Sequence, residues 1–221
     1  MTADWLLWQL ADSAFPSGGF AHSGGLEAAW QNGTIACAAQ LNEFLEAQLR
    51  NVAYAAAPFA MAARVDDGAW LAVDRECDVF LSNHVANRAS RAQGGAFIAA
   101  AQRVFRVDCL SMMRARIRAQ KLPGHFAPIF GATTLALGID SDAACRLLLF
   151  LAARAAVSSA VRLGIVGPLE GQSMQHAARS RIDHWSRVAQ HIAIEDAAQT
   201  SPLLDLLQGT HDRLYSRLFQ S

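Results

Sequence analysis

The sequence is short of charge. Only 17% of its 221 residues are Asp, Glu, Lys or Arg, below the roughly 25% of an average soluble chain. Nineteen basic residues balance nineteen acidic ones, so no global field directs the chain to nucleic acid or to an anionic membrane. A surface this poor in charge leaves apolar area to be covered, which predicts association with a partner or with a second copy.

Other absences narrow the field further. The four cysteines, Cys37, Cys77, Cys109 and Cys145, form no CxxC pair, which removes support for a disulfide framework or a zinc ribbon. The N-terminus lacks a basic segment followed by an apolar run, so no secretion signal is expected. The most apolar stretch, Leu147 to Val157, follows Arg146 and is interrupted by Arg154, far from the ~20 apolar residues of a membrane span. Neither GxxxxGK[ST] nor a strand-followed GxGxxG is present, so the chain is not expected to bind nucleotide. Alternating β-branched runs bounded by turns are also missing, which argues against strands. These absences describe a cytoplasmic protein without membrane, nucleic acid or nucleotide as its ligand.

What remains is 52% hydrophobic and rich in alanine, with helical periodicity from end to end, and the expected fold is all-α in a single domain over 1–221. A short helix is expected over Trp5 to Ala11, then a loop over Asp12 to Gly19, where Pro16, Gly18 and Gly19 disfavour helix. A second helix is expected over His22 to Trp30, closed by Asn32-Gly33, with Leu26 and Trp30 pinning it to the core. Leu41, Phe44, Leu45, Leu49 and Val52 carry the next helical stripe, which Pro58 kinks before an Asp66-Asp67-Gly68 turn. Further helices are expected over Trp70 to Leu81, Val85 to Phe105, Cys109 to Ala119 and Phe126 to Leu137, with turns at Leu122-Pro123-Gly124 and Gly138. Asp140 or Ser141 caps a long apolar helix ending near Gly164, and another runs from Leu169 to His191. Ile194 to Gln199 reads as a connector. Ser201-Pro202 starts a last helix carrying Leu203, Leu207, Leu214 and Leu218 along one side.

Chemistry-bearing clusters are sparse. Ala21-His22-Ser23-Gly24-Gly25 differs by one residue from the GxSxG nucleophile elbow, but an elbow needs a preceding strand, and Ser23 reads better as a helix cap. His176, His184 and His191 share one helix face at spacings of eight and seven, about 10 Å or more apart along the axis, too far for one ion. His22, His84, His125 and His211 have no close sequence partner and read as neutral histidines in hydrogen bonds. Arg114, Arg116, Arg118 and Lys121 form a basic helix surface without interleaved aromatics, solvated or facing a partner. No catalytic residue and no resident metal or cofactor emerges.

Several long blocks carry a resemblance. Ser13-Ala14-Phe15-Pro16-Ser17-Gly18-Gly19-Phe20-Ala21-His22-Ser23-Gly24-Gly25-Leu26-Glu27 closely resembles the N-terminal signature of the UreF urease accessory proteins. Asn83 to Gly94, His125 to Gly131 and Ser159 to Leu169 resemble the same family in the expected order. Ser201 to Asp205 and Leu214 to Phe219 resemble the tail of one of its branches.

The resemblance implies a single-domain helical bundle of the UreF type, a homodimer without enzymatic activity. Such a protein joins the UreH/UreD accessory protein to the nickel-carrying GTPase UreG, for nickel insertion into the urease apoprotein, with tuning of GTP hydrolysis as a further expected role. On this reading 201–221 is a C-terminal helix and tail that docks the UreH/UreD partner through Tyr215, Arg217 and Phe219. His22 and Glu27 are weaker candidates for the dimer or GTPase surface, and Pro16, Gly18 and Gly19 form a structural loop. Two other readings of the residues stay open: a serine hydrolase using Ser23, and a chaperone holding nickel on His176, His184, His191 or the cysteines. In Arg88 to Gly95, Ser90 and Gly94 fit close packing as well as function, and Gly131 does likewise.

Overall fold

A computed structural model of the chain describes residues 3–65 and 68–221, and among them every regular element is helical. The first half runs α1 (Ala3–Ala11), a 3₁₀ turn (Gly19–Ala21), α2 (Leu26–Gln31), α3 (Ala38–Asn51), a π-helical turn (Val52–Ala56), α4 (Ala57–Ala62) and α5 (Trp70–Phe80). The long α6 (His84–Phe105) leads into α7 (Asp108–Ala119) and α8 (Phe126–Ala136). Then come α9 (Ser141–Arg162), α10 (Pro168–Ala177), α11 (Arg179–Ala189), a 3₁₀ turn (Ile194–Asp196), α12 (Pro202–Gly209) and a last 3₁₀ turn (His211–Arg213).

Two helices form the centre. Every residue of α8 from Ala127 to Thr134 is buried, and the helix packs against α4, α5 and α6. That approach requires Gly131, because a Cβ there would overlap the Ala60 carbonyl of α4. The other central helix, α9, buries Leu147, Leu148, Leu149 and Leu151 against α1, α3, α10 and α11. By length and composition it is the one described helix apolar enough to cross a membrane, yet 61% of that stretch is buried inside the fold. Its cation Arg154 donates to the Ala11 carbonyl at the end of α1.

The Asn83 to Gly94 and His125 to Gly131 blocks meet each other. Asn83 caps α6 by accepting from the Val85 and Ala86 amides, and Gly94 lies so close to the Gly124 carbonyl that a Cβ would overlap it. Ser90 Oγ lies 3.1 Å from His125 Nδ1 and accepts from the Phe126 amide at 3.2 Å. The other His125 nitrogen is 2.9 Å from Asp78. Buried Asp74 accepts from the Gly124 and His125 amides at 2.9 and 2.7 Å. Burial pushes the Asp74 carboxyl up, against the pull of those two amides. Asp78 goes down, chiefly because Asn87 and then His125 hydrogen-bond it. Ser90, Gly94 and Gly131 therefore all have packing roles.

Several local expectations change. The second helix starts at Leu26 rather than His22, because Gly24 and Gly25 take φ of 61° and 92°, outside the helical region. Trp30 is 42% exposed and does not pin α2; fully buried Leu26 does. Pro58 does not kink a continuous helix. The chain widens into the π turn ahead of it, and Pro58 then sits in the first turn of α4, where its missing N–H costs little. The helix expected over Leu169 to His191 tightens at fully buried Ala178 and divides into α10 and α11, leaving His176 and His184 on different helices and His191 beyond both. The last helix ends at Gly209, short of Leu214 and Leu218, and of its expected stripe only Leu207 is buried. Asp66-Asp67 lies outside the described residues.

Candidate partner-docking site

The C-terminal tail folds back onto the N-terminal block. Its backbone, having left helical geometry after the 3₁₀ turn at His211–Arg213, meets its hydrogen bonds on α2 and the segment preceding it. Glu27, 1% exposed, accepts from the Leu218 amide at 2.6 Å and the Phe219 amide at 3.3 Å. Its second oxygen also lies 3.1 Å from Nε2 of fully buried His211. The amide of Gln220 donates to the Ala21 carbonyl at 2.8 Å. Ser23 donates to the Ser221 backbone oxygen through its amide at 2.6 Å and its hydroxyl at 3.1 Å. His22 Nδ1 is 2.6 Å from the Ser221 hydroxyl.

Side chains close the strap on both sides. Arg162, at the C-terminal end of α9, lies with its guanidinium carbon 3.8 Å from the Phe20 ring centre and 4.2 Å from that of Phe219, a cation between two aromatic faces. Arg88 of α6 holds Asp212 with two bonds of 3.1 and 2.8 Å. These bonds hold the Asp212 carboxyl below its usual range. Arg217 approaches the same carboxylate at 3.6 Å. Gln31 of α2 donates to the Ser216 carbonyl at 2.8 Å.

The five expected partner-contact residues thus divide. Glu27 and Phe219 are buried within the strap and His22 is partly buried beside it, whereas Arg217 is half exposed and Tyr215 is wholly exposed. Glu27 pairs with His211 and tail amides. Ser23 caps no helix, since Gly25 stands at the N-cap of α2; what precedes it is a 3₁₀ turn, not a strand. Leu218 of the tail, Trp30 of α2, and Leu203 and Leu206 of α12 are also exposed. Arg88, Arg162, His211 and Asp212 had no assigned part in the sequence reading, because their partners lie far away along the chain. The expectation of hydrogen-bonded histidines is the one that points to His211.

The Pro16, Gly18 and Gly19 loop forms one wall of a cavity of about 640 Å³, faced by the π turn and by α6, α8 and α9. Gly18 takes φ 77°, and an added Cβ would press on Ala96. At Gly19 it would press on Gln93. The glycines let the loop lie directly on α6.

Similarity to known proteins follows the whole chain. The family model described as UreF matches residues 35–179. Urease accessory protein F of Oryza sativa subsp. indica is 37% identical over 219 residues, covering 97% of this chain and 84% of the relative. Urease accessory protein F of Arabidopsis thaliana is 40% identical over 226 residues, covering 98% and 92% respectively. Urease accessory protein UreF of Bacillus sp. (strain TB-90) is 28% identical over 221 residues, covering 97% of each.

Proposed function

This chain belongs to the UreF family of urease accessory proteins, and from that premise we propose that it is a non-catalytic scaffold for assembly of the urease metal centre. It joins a UreH/UreD-type accessory protein to a UreG-type GTPase that carries nickel, and through them reaches the urease apoprotein. Nickel is the cargo of the complex, and this chain holds neither metal nor cofactor of its own. It works in the cytoplasm as a homodimer.

The observation that carries this reading is the tail. Tyr215, wholly exposed, and Leu218, 53% exposed, project from a backbone that Glu27 and Gln31 already hold in place. An aromatic anchor on an ordered strap costs little conformational entropy when a partner covers it. The UreH/UreD-type protein is the occupant assigned to this surface. GTP hydrolysis by the UreG-type protein is the activity that such a scaffold tunes.

Co-purification tests the proposal. The intact chain mixed with its cognate UreH/UreD and UreG proteins is expected to elute with both as one species. Folded chain that elutes apart from both would overturn the scaffold reading.

A further inference from the structure

A second surface stands apart from the tail. Between positions 103 and 121 the sequence places Arg103, Arg106, Arg114, Arg116, Arg118 and Lys121 against a single carboxylate, Asp108, in a chain whose charges balance overall. These residues cover the end of α6, all of α7 and the turn that follows. All are exposed except Arg114, which is half-buried.

Several arginines elsewhere have partners. Arg88 and Arg217 meet Asp212, Arg146 meets Asp142, Arg181 approaches Glu46, and Arg154 and Arg162 bond backbone carbonyls. No cation of the 103–121 stretch enters an ion pair among the described residues. Arg116 lies beside Gly68. Arg114 instead donates to neutral Gln102 at 2.7 Å, and Arg118 and Arg103 stand close enough to add to the lowering of its pKa that desolvation begins. Arg114 and Arg118, one helical turn apart, repel each other on the helix surface.

Part of this has a simple structural reason. Arg118 lies in the last turn of α7, where a cation complements the helix dipole. The same reason covers Arg103 in the last turn of α6 and Arg106 at its C-cap, but it does not reach Arg114, which lies before the last turn of α7. Moreover, Arg106 and Lys121 are the two non-glycine residues with positive φ among the described residues, at 53° and 50°. Glycine or asparagine would hold either position with less strain. The chain thus keeps charged side chains at both ends of α7 against backbone preference and gathers like charges between them. Both features signal a role outside the fold.

We propose that the α6–α7 corner, centred on Arg103, Arg114 and Arg118, is a docking surface for a carboxylate-rich face of another protein in the urease-maturation assembly. The proposal rests on the scaffold reading. Charge complementarity selects the occupant, and exposed Met112 on the same helix suits a protein interface. Nucleic acid is disfavoured because α7 carries no aromatic side chain on which bases stack.

The test measures binding of the full chain to its cognate urease apoprotein, UreH/UreD and UreG proteins, each immobilised separately. The charge-reversed variant R103E/R114E/R118E and the charge-preserving R103K/R114K/R118K are compared with the natural chain. At least one component should bind the reversed variant about tenfold or more weakly and the lysine variant nearly normally, as expected for a charge-complementary contact. The natural chain needs no mutation for a second readout: its affinity for that component should fall steeply as salt is raised. Components that bind the reversed variant as well as the natural chain, without salt dependence, would overturn the docking surface and leave the scaffold reading standing. A natural chain that binds none of them would overturn both. An apparent mass altered by the reversed variant in the chain alone would assign the surface to a second copy. Binding lost only toward single-stranded DNA would assign it to nucleic acid. Either of these results would overturn the proposal.

Discussion

The Glu27 carboxylate and the His211 imidazole, 184 residues apart in sequence, meet 3.1 Å apart with both side chains almost wholly buried. The same carboxylate accepts the Leu218 and Phe219 amides, so one acidic residue of α2 receives three donors from the tail. Glu27→Ala leaves those donors without an acceptor, at a cost of about 3 kcal/mol or more to tail docking. Amide hydrogen exchange over 211–221 is expected to accelerate strongly in this variant, while α8 and α9 keep their protection. Unchanged tail protection would show that Glu27 does not hold the strap.

Glycines on neighbouring elements should respond in opposite ways. Gly131→Ala and Gly94→Ala drive a Cβ into the backbone of Ala60 and Gly124, and each is expected to lose about 3 kcal/mol or fail to fold. Gly95, in the interior of α6, has open space where a Cβ would sit. Gly95→Ala should stabilise by about 0.5–1 kcal/mol, from helix propensity and reduced unfolded-state freedom. Thermal midpoints of the three variants check this ordering.

These residues also show how much the sequence revealed. The helical fold, the Asp140 cap and the glycine stops at Gly33, Gly124 and Gly138 were legible, because each depends on a few neighbouring residues. The contact between the signature block and the tail was not. Nothing local to Glu27 says that its partner is His211, and nothing local to Arg162 says that it lies between Phe20 and Phe219. The early end of α12 escaped for the same reason: after one 3₁₀ turn the backbone of the tail is satisfied by Ala21, Ser23 and Glu27 rather than by a continuing helix. The break at Ala178 follows from packing, since α10 lies on α9 while α11 reaches α3 as well.

Acid should loosen the strap through His22. Burial first, then electrostatic interaction with His211 and Arg88, holds its pKa below the usual histidine value. The unfolded chain therefore binds a proton more readily, so the His22 contribution to stability is full above the usual histidine range and is lost as pH falls through the depressed folded value. Between about pH 7.5 and about pH 5 the natural chain is expected to lose more stability than His22→Gln, which removes this titration. Parallel pH profiles for the two proteins would contradict the assignment.

The central claim concerns Tyr215, whose side chain makes no contribution to the core, so that Tyr215→Ala leaves the fold intact. The decisive measurement is a calorimetric titration of the cognate UreH/UreD protein into the natural chain and into Tyr215→Ala. The variant is expected to bind at least about tenfold more weakly, as for an aromatic anchor at the centre of an interface. Equal affinity for the two chains would contradict the tail as the docking surface.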